Sequence, residues 1–425
     1  MKKTIAILTN FKEFVHGYSL TGIVKDQAKM LSRYGHKVLL YVSKGYHGED
    51  IPGDFEIVKK IPDAHLIDYR KKSALTEEHA KIAEETGRVL AGEFEEGKVD
   101  ICFTHDFVFT GWNLPFGLGV QQASKRYQKV HWLHWIHSVP TAWFDWWKHA
   151  DYGPKHRLVF PNSLTRRQVA DQFHCRAEDI RIIPHIKDLR TFWDFGEDTC
   201  TFIDDYPLTM QAQFVLVYPA SSDRLRAKGV QDIIQVMAKI KERKKSIMII
   251  IANQWATGTQ PRQDIEQFKK ASKQLGLEYG REFIFTSEWG KKYPQWNYEN
   301  GLPQKMLREL FLCSNLFIFP TREESFGLVG PEAALCGVLP MFNKSLLCQF
   351  EVMGMTGLYA DFGSYQNVFK PESPDNYYTG LALILLERMR NNEALAAKTF
   401  VRRVYNYDAL YKNIYEPIFT ECEMW

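Results

Sequence analysis

Short apolar runs separated by turn residues recur along the chain. Residues 4–9, 37–42, 99–104, 214–219, 246–252, 282–287 and 316–319 read as strands, and the short apolar run 4–9 followed by a turn is that of a strand buried in a parallel sheet. Amphipathic stretches with helical spacing lie between them, over 21–34, 77–95, 230–242, 262–275 and 302–312, and again near the end over 376–390 and 406–419. Residues 130–137 alternate instead, placing His131, Trp135 and His137 on one face and Trp132, His134 and Ile136 on the other. Strand and helix in alternation predict an α/β protein with parallel sheets. The pattern runs twice, over 1–195 and 213–403, and residues 196–212 read as the linker between two domains.

Length agrees, because 425 residues exceed what a single core supports. A net charge of +3 gives no global polycation, but residues 122–190 hold 12 Lys/Arg against 6 Asp/Glu, with seven of the 13 His. Five of the 11 Trp lie between Trp132 and Trp147. A basic, aromatic-rich surface of this kind suits phosphates and bases, an anionic lipid surface or a charged polysaccharide; the alternative is an ordinary basic face over a Trp-rich core. The long aromatic stretch 288–299 is expected to shape a pocket or groove. Seven dispersed cysteines without metal-ligand spacing read as reduced thiols, and no run has the length of a membrane span, so a cytoplasmic location is expected.

The candidate chemistry centres on residues 316–340. A buried strand runs into a polar turn, a helix is expected to open near Phe326, and a second strand starts at Val338. Glu324 and Glu332 flank the turn Ser325-Phe326-Gly327-Leu328. Free amides and the positive dipole end of a helix attract an anion, and the two carboxylates can accept hydrogen bonds from sugar hydroxyls. The pattern Pro-x-x-x-Glu-Ser-Phe-Gly-Leu-x-x-x-Glu-Ala-x-x-x-Gly resembles the E-x7-E signature of retaining glycosyltransferases of family 4. That resemblance implies the GT-B fold, two Rossmann-like domains facing across a cleft. The first (1–195) would take the acceptor, the second (213–403) the nucleotide sugar, and residues 404–425 would form a helix crossing back to the first.

Residues 220–230 are similar to the same family's G-R-L-x-x-x-K-G turn, with one residue fewer and Ser or Asp in place of Gly. The resemblance implies that Arg224 and Lys228 neutralise the donor diphosphate, with Arg226 competing with Arg224 for the role. It further implies that Glu324 contacts the sugar, that Glu332 contacts the ribose, and that the turn from Ser325 to Leu328 binds phosphate through its amides. The first loop of the chain, with Gly17, Thr21 and Gly22, would close over the diphosphate; the alternative at Thr21 is a plain helix cap. His137 matches a family histidine beside the transferred sugar, while His105 and Asp106 also sit at a strand end and His134 can equally be a satisfied core residue. Catalysis would thus fall to Glu324, His137 and Lys228, with no metal and no cofactor beyond a UDP-linked sugar as substrate. The acceptor implied is a saccharide or glycolipid. His137-Ser138-Val139 and residues 336–345 are also similar to phage DNA α-glucosyltransferases, which makes a hydroxymethylated DNA base the alternative acceptor. A non-catalytic nucleotide-sugar-binding module is the alternative of another class.

Overall fold

The computed structural model describes residues 2–15, 17–48, 53–64, 72–109, 113–138, 148–258 and 261–424. Val139 and Trp143, Trp146 and Trp147 of the expected aromatic surface lie outside them. The chain forms two α/β units, one of residues 1–188 with 407–425, the other of residues 189–406.

The first unit carries a parallel sheet of β1 (Thr4–Leu8), β2 (Lys37–Ser43), β3 (Glu56–Ile61), β4 (Ile101–His105), β5 (His131–Trp135), β6 (His156–Phe160) and β7 (Ile180–Ile182), in the order β3-β2-β1-β4-β5-β6-β7. β5 shows the alternation read from its residues: Leu133 and Trp135 enter one core cluster, Trp132 and Ile136 the other. Trp132 and Trp135 are fully buried, so neither contributes to an aromatic surface. The helices Glu77–Gly97 and Leu114–Arg126 cross closely through glycines, since a β-carbon on Gly87 would meet Gly119 O at 3.0 Å. Residues 407–425 belong here: Tyr411 stacks on Tyr34 at 3.6 Å, and Tyr415, Ile418 and Phe419 fill the core beside Phe103.

The second unit carries β8 (Phe214–Pro219), β9 (Ile247–Ala252), β10 (Phe283–Phe285), β11 (Leu316–Phe319), β12 (Leu339–Asn343) and β13 (Leu358–Ala360), parallel and ordered β10-β9-β8-β11-β12-β13. β9 is apolar and buried at all six positions, four of them isoleucine, as a strand covered on both faces requires.

Residues 196–212 do not form a linker. They fold as the helices Glu197–Asp205 and Leu208–Gln211 within the second unit, as do residues 189–195. Arg402 helps to hold them there: it is fully buried and donates to the carbonyls of Thr209 (3.1 Å), Met210 (2.6 Å) and Ala212 (2.7 Å), and burial pulls its guanidinium down to about 10. Asp198 and Asp205 bind the aromatic stretch, accepting from Tyr298 Oη at 2.7 Å and from Trp289 Nε1 at 3.1 Å. Those rings are thereby committed to the unit's own packing rather than to a groove. Among the described residues no helix is long and apolar enough to cross a membrane.

Candidate active site

In an open parallel sheet, side chains converge beyond the strand C-termini where the strand order reverses. In the second unit that place lies between β8 and β11. The loop after β8 carries Arg224, Arg226 and Lys228; the loop after β11 carries Glu323, Glu324 and the turn to Leu328.

The two loops are strapped together by backbone. Arg322 N–H donates to Ala227 O at 2.9 Å, and Gly229, at φ +70°, lets the first loop lie against Pro320. A β-carbon there would sit 2.6 Å from Pro320 O. Tyr218 Oη donates to Lys228 O at 2.8 Å from beneath; Tyr218 is itself fully buried, and burial with the nearby Glu324 and Asp232 charges raises its pKa. Thus fixed, Lys228 Nζ meets Glu324 Oε2 at 3.1 Å and Arg224 meets Glu323 at 2.9 Å. Both pairs are partly buried, in a setting where an anion on the cations would displace carboxylates rather than bulk water.

Gly327 turns the chain at φ +80°, under Phe319, where a β-carbon would lie 2.8 Å from the ring. The helix opens at Val329, not near Phe326, and ends at Leu335, a run of seven residues. Gly330 N–H and Glu332 N–H bond back to Gly327 O and Leu328 O. The amides of Phe326, Gly327 and Leu328 have no protein acceptor among the described residues, and the side chains of Phe326 and Leu328 are exposed. Glu332 is half-buried, and its carboxylate has no ion-pair or hydrogen-bond partner among the described residues. Ser325 N–H donates to Glu324 Oε1 at 3.2 Å, so Glu324 bridges the cation and the turn.

Of the expected residues, Lys228, Arg224, Glu324 and Ser325 to Leu328 come together. Arg226 does not: its guanidinium turns away to Gln267, with Nε at 3.0 Å from Oε1. Thr21 and Gly22 belong to the other unit. Their helix begins at Ser19, which puts Gly22 within it rather than at its start, and a β-carbon on Gly22 would meet open space. Thr21 is the third residue of that helix and does not cap it; its Oγ1 donates to the carbonyls of Val15 (2.9 Å) and Tyr18 (2.7 Å).

The first sheet reverses between β1 and β4, and polar side chains gather there too. His105 ends β4, and Asp106 follows at φ +45°, accepting from His137 N–H at 3.2 Å; burial pushes its carboxyl up to about 6. His137 has both ring nitrogens engaged, to His105 and to His185 at 3.0 Å each. His134 is a satisfied core histidine, bonded to Thr104 (3.0 Å) and His156 (2.8 Å). Glu323, Tyr218 and His185 were missed from the chain alone. Glu323 adjoins Glu324 in a visible acidic pair, but nothing in the chain says that Arg224 faces it.

No family model matches the chain and no curated protein does. Among solved structures it is similar to a glycosyltransferase from Rickettsia africae (12% identity, 99% of this chain and 98% of that one, TM-score 0.37). It is also similar to sucrose-phosphate synthase from Thermosynechococcus elongatus (16%, 99% and 100%, 0.36) and to Anabaena HepE in complex with UDP (13%, 99% and 100%, 0.33).

Proposed function

We propose that the chain is a retaining glycosyltransferase that moves a sugar from a UDP-linked donor to a hydroxyl of a saccharide or glycolipid. The observation that carries this reading is the Lys228–Glu324 pair beside a turn with three open amides, at the reversal point of the second sheet. Lys228 and Arg224 take the diphosphate, and the amides of Phe326, Gly327 and Leu328 hold its oxygens. Glu324, released by Lys228, accepts from sugar hydroxyls, and Glu332 accepts from the ribose. The bond from the sugar's anomeric carbon to phosphate breaks, and the bond to the acceptor oxygen forms on the same face. The acceptor's proton leaves to the departing phosphate oxygen. The cations then count most when negative charge grows on the leaving group, which raises rate and not only affinity.

The test is incubation with labelled UDP-sugars and a panel of oligosaccharide, glycolipid and hydroxymethylated DNA acceptors. We expect transfer with retained anomeric configuration, and a loss of roughly 100-fold or more in Lys228→Ala and Glu324→Ala with unchanged circular dichroism. Full activity in either variant rejects the reading.

A further inference from the structure

The first unit holds a file of polar side chains. Gln27, on the helix Ser19–Arg33, is fully buried. Its amide nitrogen donates to the Tyr415 hydroxyl at 3.1 Å, and its Oε1 lies 2.7 Å from His105 Nε2. His105 Nδ1 lies 3.0 Å from His137 Nε2, and His137 Nδ1 lies 3.0 Å from His185 Nε2. Ring centroids are 5.1 Å apart at both steps. The rings follow one another and do not converge; among the described residues no group of three or more His, Cys, Asp or Glu is placed to hold a metal ion.

Each contact takes one proton, and an amide oxygen only accepts. His105 therefore donates from Nε2, which leaves its Nδ1 bare to accept from His137 Nε2–H. By the same step His137 Nδ1 accepts from His185 Nε2–H. Burial holds all three imidazoles below their ordinary pKa, and the adjoining rings add to this for His105 and His137, so the neutral forms prevail. The direction set at Gln27 passes along the file to its last ring. His185 is exposed, and its Nδ1 has no partner among the described residues.

We propose that His185, rather than His137, is the residue of this file that touches a bound ligand, its Nδ1 accepting a hydrogen bond from a sugar or acceptor hydroxyl. Gln27, His105 and His137 are positioning residues that set its tautomer. The proposal rests on the glycosyl-transfer reading above. His137 cannot serve the same purpose without giving up one of its two neighbours.

The test uses the full chain with isotope-labelled histidine ring nitrogens, observed by NMR at neutral pH. His105, His137 and His185 are expected as Nε2–H tautomers. Gln27→Leu removes the acceptor that sets the direction, and His185 is then expected as a mixture of tautomers. A His185 signal dominated by Nδ1–H in the unaltered chain overturns the proposal. His185→Gln places an amide nitrogen where Nε2–H was, keeping the bond to His137 while removing Nδ1. Its His105 and His137 signals are expected to stay in place while turnover of UDP-glucose falls about tenfold or more, the loss of one well-placed hydrogen bond. His185→Asn, which returns an oxygen near the Nδ1 position, is expected to recover part of the rate. Unchanged turnover in His185→Gln overturns the role of His185 and leaves glycosyl transfer standing. No turnover of any nucleotide sugar by the unaltered chain overturns both.

Discussion

Lys228 and Glu324 have side chains only 17% and 22% exposed, so each depends on the other for solvation. Removing one partner leaves a poorly hydrated charge, which costs more than the pair itself contributes. Lys228→Met and Glu324→Gln are each expected to lower the unfolding free energy by roughly 1 kcal/mol, with most of that recovered in the double variant. A double-mutant cycle in urea measures the coupling; simple additivity would show that the two side chains do not sense each other. These residues were legible from the chain because each sits in a motif with its own backbone reason, a turn after a buried strand. His185 was not, since its importance comes from Gln27, His105 and His137, which lie far from it in the chain. Arg226 was no more legible, because choosing between two arginines two positions apart needs the direction of the loop.

Among elements, the loop after β8 and the loop after β11 act as one piece because Gly229 lets them touch. Gly229→Ala would combine left-handed backbone strain with a β-carbon 2.6 Å from the Pro320 carbonyl, a backbone atom that cannot swing aside. Strain of about 1–2 kcal/mol and overpacking of about 1–3 kcal/mol together predict a loss of roughly 3 kcal/mol, read by thermal unfolding, with weakened binding of UDP. An unchanged melting temperature would mean that the loops part easily. The long buried strands and the helix Val230–Glu242 were legible from period and apolarity alone. Among those that were not, β3 and the helix Leu114–Arg126 show why. β3 lies at the sheet edge and carries Glu56, Lys59 and Lys60, so half of it reads as loop. The helix Leu114–Arg126 contains Pro115, Gly117 and Gly119, residues that read as breakers, yet Gly119 permits the close crossing with Glu77–Gly97.

At the scale of the molecule, buried histidines give the first unit a pH dependence whose sign can be stated. His137 and His156 are each held at about 3, by burial first and by neighbouring charge second, against an ordinary value of about 6.5. Their folded values lie below the unfolded one, so the stability they carry is present above about pH 6.5 and is lost as pH falls toward 3. Between about pH 6.5 and pH 5 each costs ~2 kcal/mol. Asp106, raised to about 6, works oppositely: its contribution is present below the ordinary carboxyl range and is lost as pH rises through 6. Acidification from about pH 7 to pH 5 therefore regains about 1 kcal/mol there, leaving a net loss of roughly 3 kcal/mol. Urea midpoints at the two pH values measure it, and a midpoint that rises on acidification would contradict the burial of these rings. The duplication of the α/β pattern was legible in the chain, as was the return of its last residues to the first unit, expected from 404 and found from 407; the division at 188 was not, because the contacts that tie residues 196–212 to the second unit, those of Arg402 among them, come from far along the chain.

The segment 407–425 fills the same core as β1 and β4, yet it is synthesised only after the whole of the second unit. During translation the first sheet must therefore wait, with the hollow beside Phe103 and Trp135 uncapped, while residues 189–406 emerge as an uninterrupted stretch able to fold first. Maturation would then run against the direction of synthesis, the later unit settling before the earlier one closes.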